Sequence, residues 1–111
     1  MLVSQSIVVT VPTVDAVVLN IPDTTAYPRG VWMENLDGAN TLVMTTETSA
    51  DGGATWTLVG TDTVLPGGVA SRWLATVGPF IRVRGHGNGK LYFALARYYK
   101  PTSVNLPLVS L

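Results

Sequence analysis

The sequence predicts an all-β domain: an antiparallel β-sandwich with jelly-roll or immunoglobulin-like wiring and extended N- and C-terminal segments. Three observations carry this. Short runs alternate apolar and polar residues with a period of two, as a half-buried strand does. Turn residues recur at roughly 8–12-residue spacing, the interval of a sandwich or barrel. No stretch holds the three-and-four spacing of an amphipathic helix over a useful length. About eight or nine short strands are expected, paired largely through consecutive turns.

Taken in order, Leu2 to Val11 is rich in Val, Ile, Ser and Thr and stops at Pro12. It reads as an edge strand or a free arm. Val14 to Ile21 follows, with Ala16, Val18 and Asn20 on one face and Val17, Leu19 and Ile21 on the other. Pro22 and Pro28 bracket a loop. Val31 to Leu36 is the next strand, and Asp37-Gly38 is a turn dipeptide joining it to Thr41–Thr48. There Leu42 and Met44 face one way, Val43 and Glu47 the other. Trp56 to Val59 resumes the strand pattern, Trp56 and Leu58 sharing a face, and Gly60 to Thr63 reads as a turn or bulge. Val64-Leu65 is brief and ends at Pro66-Gly67-Gly68. Val69 to Val77 is stopped by Gly78-Pro79. Phe80 to Arg84 sets Ile81 and Val83 against Arg82 and Arg84, and Gly85 to Gly89 forms a hairpin turn. Lys90 to Tyr99 closes the domain with Leu91, Phe93 and Leu95 on its apolar face. The units are therefore 1–12, an N-terminal arm or edge strand; 13–100, the sandwich; and 101–111, a C-terminal extended tail.

One turn has a chemistry of its own. In Ser49-Ala-Asp-Gly-Gly-Ala-Thr-Trp56, Asp51 accepts backbone N–H bonds within the loop. Gly52 and Gly53 take the positive φ that tight turns demand. Trp56 is expected to return the chain to the core. With Ser49, Asp51, Gly53, Thr55 and Trp56 in place, the stretch resembles the Asp-box hairpin of sialidase-type propellers and many secreted or viral β-proteins. That resemblance implies a folding device remote from any active site. A single copy in so short a chain excludes a propeller.

Composition points to contact surfaces. Apolar residues make up 47% of the 111 and charged residues 13%, where about a quarter is usual. Mean hydropathy is +0.33. A lone domain of this size has difficulty covering so much apolar surface, so burial by other chains is expected. Net charge is zero but unevenly spread. All seven acids lie at or before Asp62, opposed there by Arg29 alone, and six basic residues follow with no acid among them. Cross-strand pairing within the fold would interleave these charges. The alternative is an acidic surface on one copy meeting a basic surface on the next.

Several functions are excluded or disfavoured. No cysteine is present, so there is neither a disulfide framework nor a thiolate metal site. A single histidine, His86, rules out multi-histidine metal sites and sits in a glycine turn ill suited to holding a catalytic base. Gly85 to Lys90 looks like a phosphate loop but leads into a strand rather than a helix. Glu47, Asp51 and Asp62 form no defined carboxylate pair, and Asp51 has its turn role. Asp51-Gly52-Gly53 and Asp37-Gly38 lack the oxygen ligands of a calcium site. No catalytic, cofactor or metal residues are assigned, and the chain is read as a non-enzyme. No signal peptide or membrane span is evident. A neutral balance with few basic residues argues against nucleic acid.

The order of parts is a strand, the Asp-box hairpin, Leu65-Pro-Gly-Gly68, Pro79-Phe-Ile-Arg-Val-Arg84, a glycine turn and a closing strand. It resembles small β-sandwich structural proteins of tailed bacteriophages over residues 30 to 98. The resemblance implies a virion protein assembled in the host cytoplasm: a capsid decoration (cement) protein that stabilises the particle. Its partners would be itself, as a homo-oligomer and often a trimer, and a major capsid or other virion protein. The alternatives are a carbohydrate-binding module or a tail- or fibre-associated adsorption protein, with a glycan as partner. Candidate contact residues are Ile7, Val9, Trp73, Leu106, Leu108, Val109 and Leu111, the last four in an uncharged tail able to add strands to neighbours or lie in their grooves.

Overall fold

The computed structural model describes residues 2–22, 29–74 and 80–98. Among them are eight strands and no helix: β1 (Leu2–Val11), β2 (Ala16–Pro22), β3 (Arg29–Asn35), β4 (Leu42–Ser49), β5 (Thr57–Val64), β6 (Val69–Leu74), β7 (Phe80–His86) and β8 (Gly89–Tyr98). They form two four-stranded sheets in the orders β1-β8-β3-β6 and β2-β7-β4-β5, and all pairs are antiparallel. β1 lies beside β8, β2 beside β7, β3 beside β6 and β4 beside β5. A two-stranded ribbon wrapped on itself gives this order, so of the two wirings expected the jelly roll is the one present.

Among the described strands, only β4 and β5 are consecutive and paired in one sheet. Asp37-Gly38 and the Gly85–Gly89 turn were expected to close hairpins, yet each carries the chain across to the other sheet, as does the sharp turn at Pro66-Gly67. Turn chemistry specifies that the chain reverses; which edge it pairs with afterwards is a tertiary matter. The segment expected to be a turn or bulge at Gly60–Thr63 is continuous strand, with the bulge just before it. Thr46 faces Gly60 and Glu47 faces Leu58, leaving Val59 as the extra residue. A second bulge leaves Val18 unmatched in β2, which breaks the alternation expected there. The N-terminal segment is an edge strand in the described structure, because β1 pairs with β8 along its whole length.

The facing sides of the sheets make the core: Val9, Val11, Val31, Met33, Leu42, Met44, Val64, Leu74, Ile81, Val83, Leu91, Phe93 and Leu95. The expected inward faces of the segments at Leu42, Ile81 and Leu91 are those observed. Four crossovers gather at one end of the sandwich and are tied to one another. Gly87 and Asn88 donate backbone N–H bonds to the Pro12 carbonyl, and Gly67 donates to that of Asp37. The Asn40 side chain donates to the Asn88 carbonyl at 2.8 Å. Gly87 has φ +128, and a Cβ there would lie 2.2 Å from the Thr41 carbonyl oxygen, so only glycine fits. Buried Asn35 centres the tie. Its Nδ2 donates to the carbonyls of Asn40 (2.7 Å) and Val64 (3.0 Å), and its Oδ1 accepts from the Asp37 N–H.

Candidate interaction surfaces

The Ser49–Trp56 turn joins the two strands of the one intrasheet hairpin. Ser49 Oγ accepts from the Gly53 N–H (2.8 Å) and the Asp51 N–H (3.3 Å) and donates to Asp51 Oδ1. Asp51 in turn accepts from the Thr55 N–H at 2.9 Å and from the Thr55 hydroxyl. The Thr55 hydroxyl, its N–H and the Ser49 hydroxyl hold the Asp51 carboxyl well below the usual carboxylate range. Gly52 and Gly53 have φ 75 and 97, as the turn requires. Trp56 departs from expectation. It is half-buried rather than a core residue, and its ring lies under the Arg82 guanidinium, 4.3 Å from the centroid. It shares a side with Leu58, which faces Glu47 on the outer face, so the hairpin delivers it there.

From Trp56 a chain of charges crosses the outer face of the β2-β7-β4-β5 sheet. Arg82 Nε and Arg84 Nε both donate to Glu47 Oε1, at 2.8 and 3.0 Å. Arg84 also bonds Asp15, and His86 Nδ1 stands 3.4 Å from the other Asp15 oxygen. Burial alone would raise the Glu47 carboxyl, but the hydrogen bonds and charges of Arg84 and Arg82 together lower it. His86 is thus the last residue of a strand beside a carboxylate, not a turn residue. The uneven charge distribution resolves here. The jelly roll lays acidic first-half strands against basic second-half strands, so the charges meet within one molecule.

The two open sides of the sandwich differ. On the β5/β6 side, Arg72 reaches across the gap to Asp62 in a bidentate pair, Nε–Oδ2 3.0 Å and Nη2–Oδ1 2.8 Å. Its guanidinium lies over Gly60, where a Cβ would come within 2.4 Å. The pair raises Arg72 above the ordinary guanidinium value. An inward-pointing charge pair of this kind guards sheet edges against further pairing. On the β1/β2 side there is instead an apolar groove of about 340 Å³, lined by Ser6, Ile7, Leu19, Asn20, Ile21, Phe93 and Leu95. Ile7 faces inward, directly opposite Phe93, yet is 49% exposed while Phe93 is 2% exposed.

Of the candidate contact residues, Ile7 therefore lines the groove. Val9 is a correction: it opposes Leu91 on the inner face and is core. Trp73 is exposed on the outer face of the other sheet and, with Trp32, lines a cleft of about 300 Å³ that also includes Gly30, Ser71 and Ala94. Leu106, Leu108, Val109 and Leu111 lie outside the described residues, as do the loop at 23–28, the break at Gly78-Pro79 and the tail. The groove residues Leu19, Ile21, Phe93 and Leu95 were not singled out from sequence. They carry the same alternation as core residues, and nothing local marks β1 and β2 as edge strands.

Comparison with known proteins places the architecture. No protein-family model and no curated protein matches the sequence. Two solved structures share the fold across most of the chain. One is a Bacillus endospore appendage protein, from a family described as disulfide-linked pili. It has a TM-score of 0.61 and 16% identity, covering 90% of this chain and 88% of that one. The other is PirA, with a TM-score of 0.55 and 16% identity, covering 86% of this chain and 93% of PirA. What they share with this chain is the fold. The expectation of a phage capsid decoration protein is corrected by these matches, since the matched structure is an endospore appendage protein rather than a virion protein. The virion as location and a major capsid protein as partner fall with it.

Proposed function

We propose that the chain is a structural subunit that assembles with copies of itself into an extracellular appendage of the pilus type, acting by contact rather than by catalysis. The inequality of the sandwich's two sides carries this reading. Both sides are bounded by edge strands, but the Asp62–Arg72 pair spans the gap on the β5/β6 side, whereas the β1/β2 side opens on an apolar groove. A subunit with one receptive side suits head-to-tail contacts, which generate open filaments when the rotation does not close a ring. Exposed Val8, Trp32 and Val69 on the outer β1-β8-β3-β6 face add apolar area for lateral contact. The fold of the endospore appendage supports the same reading.

The absence of cysteine sets this chain apart from disulfide-linked pili. Its polymers would be held by apolar burial and backbone pairing alone. Sedimentation velocity and electron microscopy of the purified full chain test this. Species that grow with protein concentration are expected, unchanged by dithiothreitol and dispersed by mild detergent. A single monomeric species up to millimolar concentration would refute the proposal.

A further inference from the structure

We infer that the groove between the free edges of β1 and β2 receives residues 102–111 of a second copy; the inference rests on the self-assembly reading above. The groove is wide enough, since a cavity of about 150 Å³ accommodates benzene and this one measures about 340 Å³, room for two or three branched aliphatic side chains. Apart from Ser6 and Asn20 its lining is apolar, and no lining residue is charged. Both strands that flank it end their sheets, so their outward N–H and C=O groups offer pairing to an extended segment.

Residues 102–111 match that surface. The segment carries no charge, and in an extended conformation Val104, Leu106 and Leu108 fall on one face. Ten residues at about 3.3 Å each span roughly 33 Å, longer than the groove needs. Pro107 lacks an N–H, which an edge position tolerates.

Reach favours a second copy over the chain's own segment. β8 ends at Tyr98, opposite Leu2, with β1 standing between it and the groove. To arrive in the same molecule, residues 99–101 must cross two strand spacings, about 10 Å. Three residues reach that distance only when fully extended, so in the same molecule the reversal must use up part of residues 102–111, which a neighbour's segment can seat in full. A neighbour's segment meets no such constraint. Groove and segment are different surfaces, so the contact is heterologous and propagates.

Complementation between two full-length variants tests this. Ile7→Glu places a charge at the groove rim, on a half-exposed side chain the fold does not depend on. Leu106→Glu/Leu108→Glu blocks the segment. By sedimentation velocity each variant alone should stay monomeric at concentrations tenfold above those where the unaltered chain assembles. An equimolar mixture should form a dimer that grows no further, the intact segment of one variant seated in the intact groove of the other. If Ile7→Glu loses its cooperative thermal transition, Ile7→Ser takes its place with the same expectation. A mixture that stays monomeric overturns the inference, and so does either variant assembling like the unaltered chain. In that last case self-assembly stands and only the groove assignment fails. If the unaltered chain is itself monomeric, the self-assembly reading fails first.

Discussion

At the scale of single residues, two polar groups are set in opposite circumstances. Asp51 is exposed but fully engaged by Thr55 and Ser49, which lowers its carboxyl in the folded state. A depressed folded value means the stability it contributes is complete above the unfolded value of about 3.9 and drains away as pH falls below it. Glu47, also lowered by Arg84 and Arg82, drains over a similar window. Urea midpoints measured at pH 7 and pH 3 should therefore fall on acidification. The drop should be smaller in Asp51→Asn, which keeps the Glu47 contribution; an equal drop would show that the turn carboxylate plays no part. Thr46 is the converse case. Its side chain is fully buried, and its hydroxyl has no hydrogen-bond partner among the described residues. Thr46→Val removes an unsatisfied group at nearly constant shape, and chemical denaturation should show a gain of about 0.5–1 kcal/mol.

At the scale of elements, the crossovers determine which strands meet. Asn35 ends β3, and its amide binds the carbonyls of Asn40 and Val64, thereby fixing the β3–β4 crossover to the end of β5. Asn35→Leu leaves both carbonyls short of a donor in a buried setting. The expected cost is about 2–3 kcal/mol by denaturant unfolding, and a change under 0.5 kcal/mol would show that the tie is dispensable. Much of this level was legible beforehand. The strand segments, the inward faces of Leu42, Ile81 and Leu91, and the Ser49–Thr55 turn follow from local alternation and side-chain chemistry. The tie made by Asn35 was not legible, because the carbonyls its Nδ2 binds lie 5 and 29 residues away. The two bulges were not either, since a bulge is a property of a strand and its neighbour together.

At the scale of the whole molecule, the wrapped ribbon explains two facts at once. Pairing first-half strands with second-half strands neutralises the charge split on the outer β2-β7-β4-β5 face. It also leaves β1 and β2 as the free edges on one side, and β5 and β6 on the other. The second side is closed by Asp62 and Arg72, the first is not. Association through the first side is therefore an apolar event and should persist at high salt, where exposed ion pairs weaken. Polymers that dissolve as sodium chloride rises toward molar would instead point to charged contacts between copies.

The order of residues alone makes this chain all-β, sets where its strands and principal turn lie, and leaves no thiol to crosslink it. These follow from residues near one another along the chain. Four features came from the fold instead: the β4–β5 pairing, the single intrasheet hairpin among the described strands; Trp56 outside under Arg82; Val9 in the core; and Ile7 half-exposed at the rim of a groove. Each depends on which strands become neighbours, and that choice is made by burying both sheets' inner faces together rather than by any local run of residues.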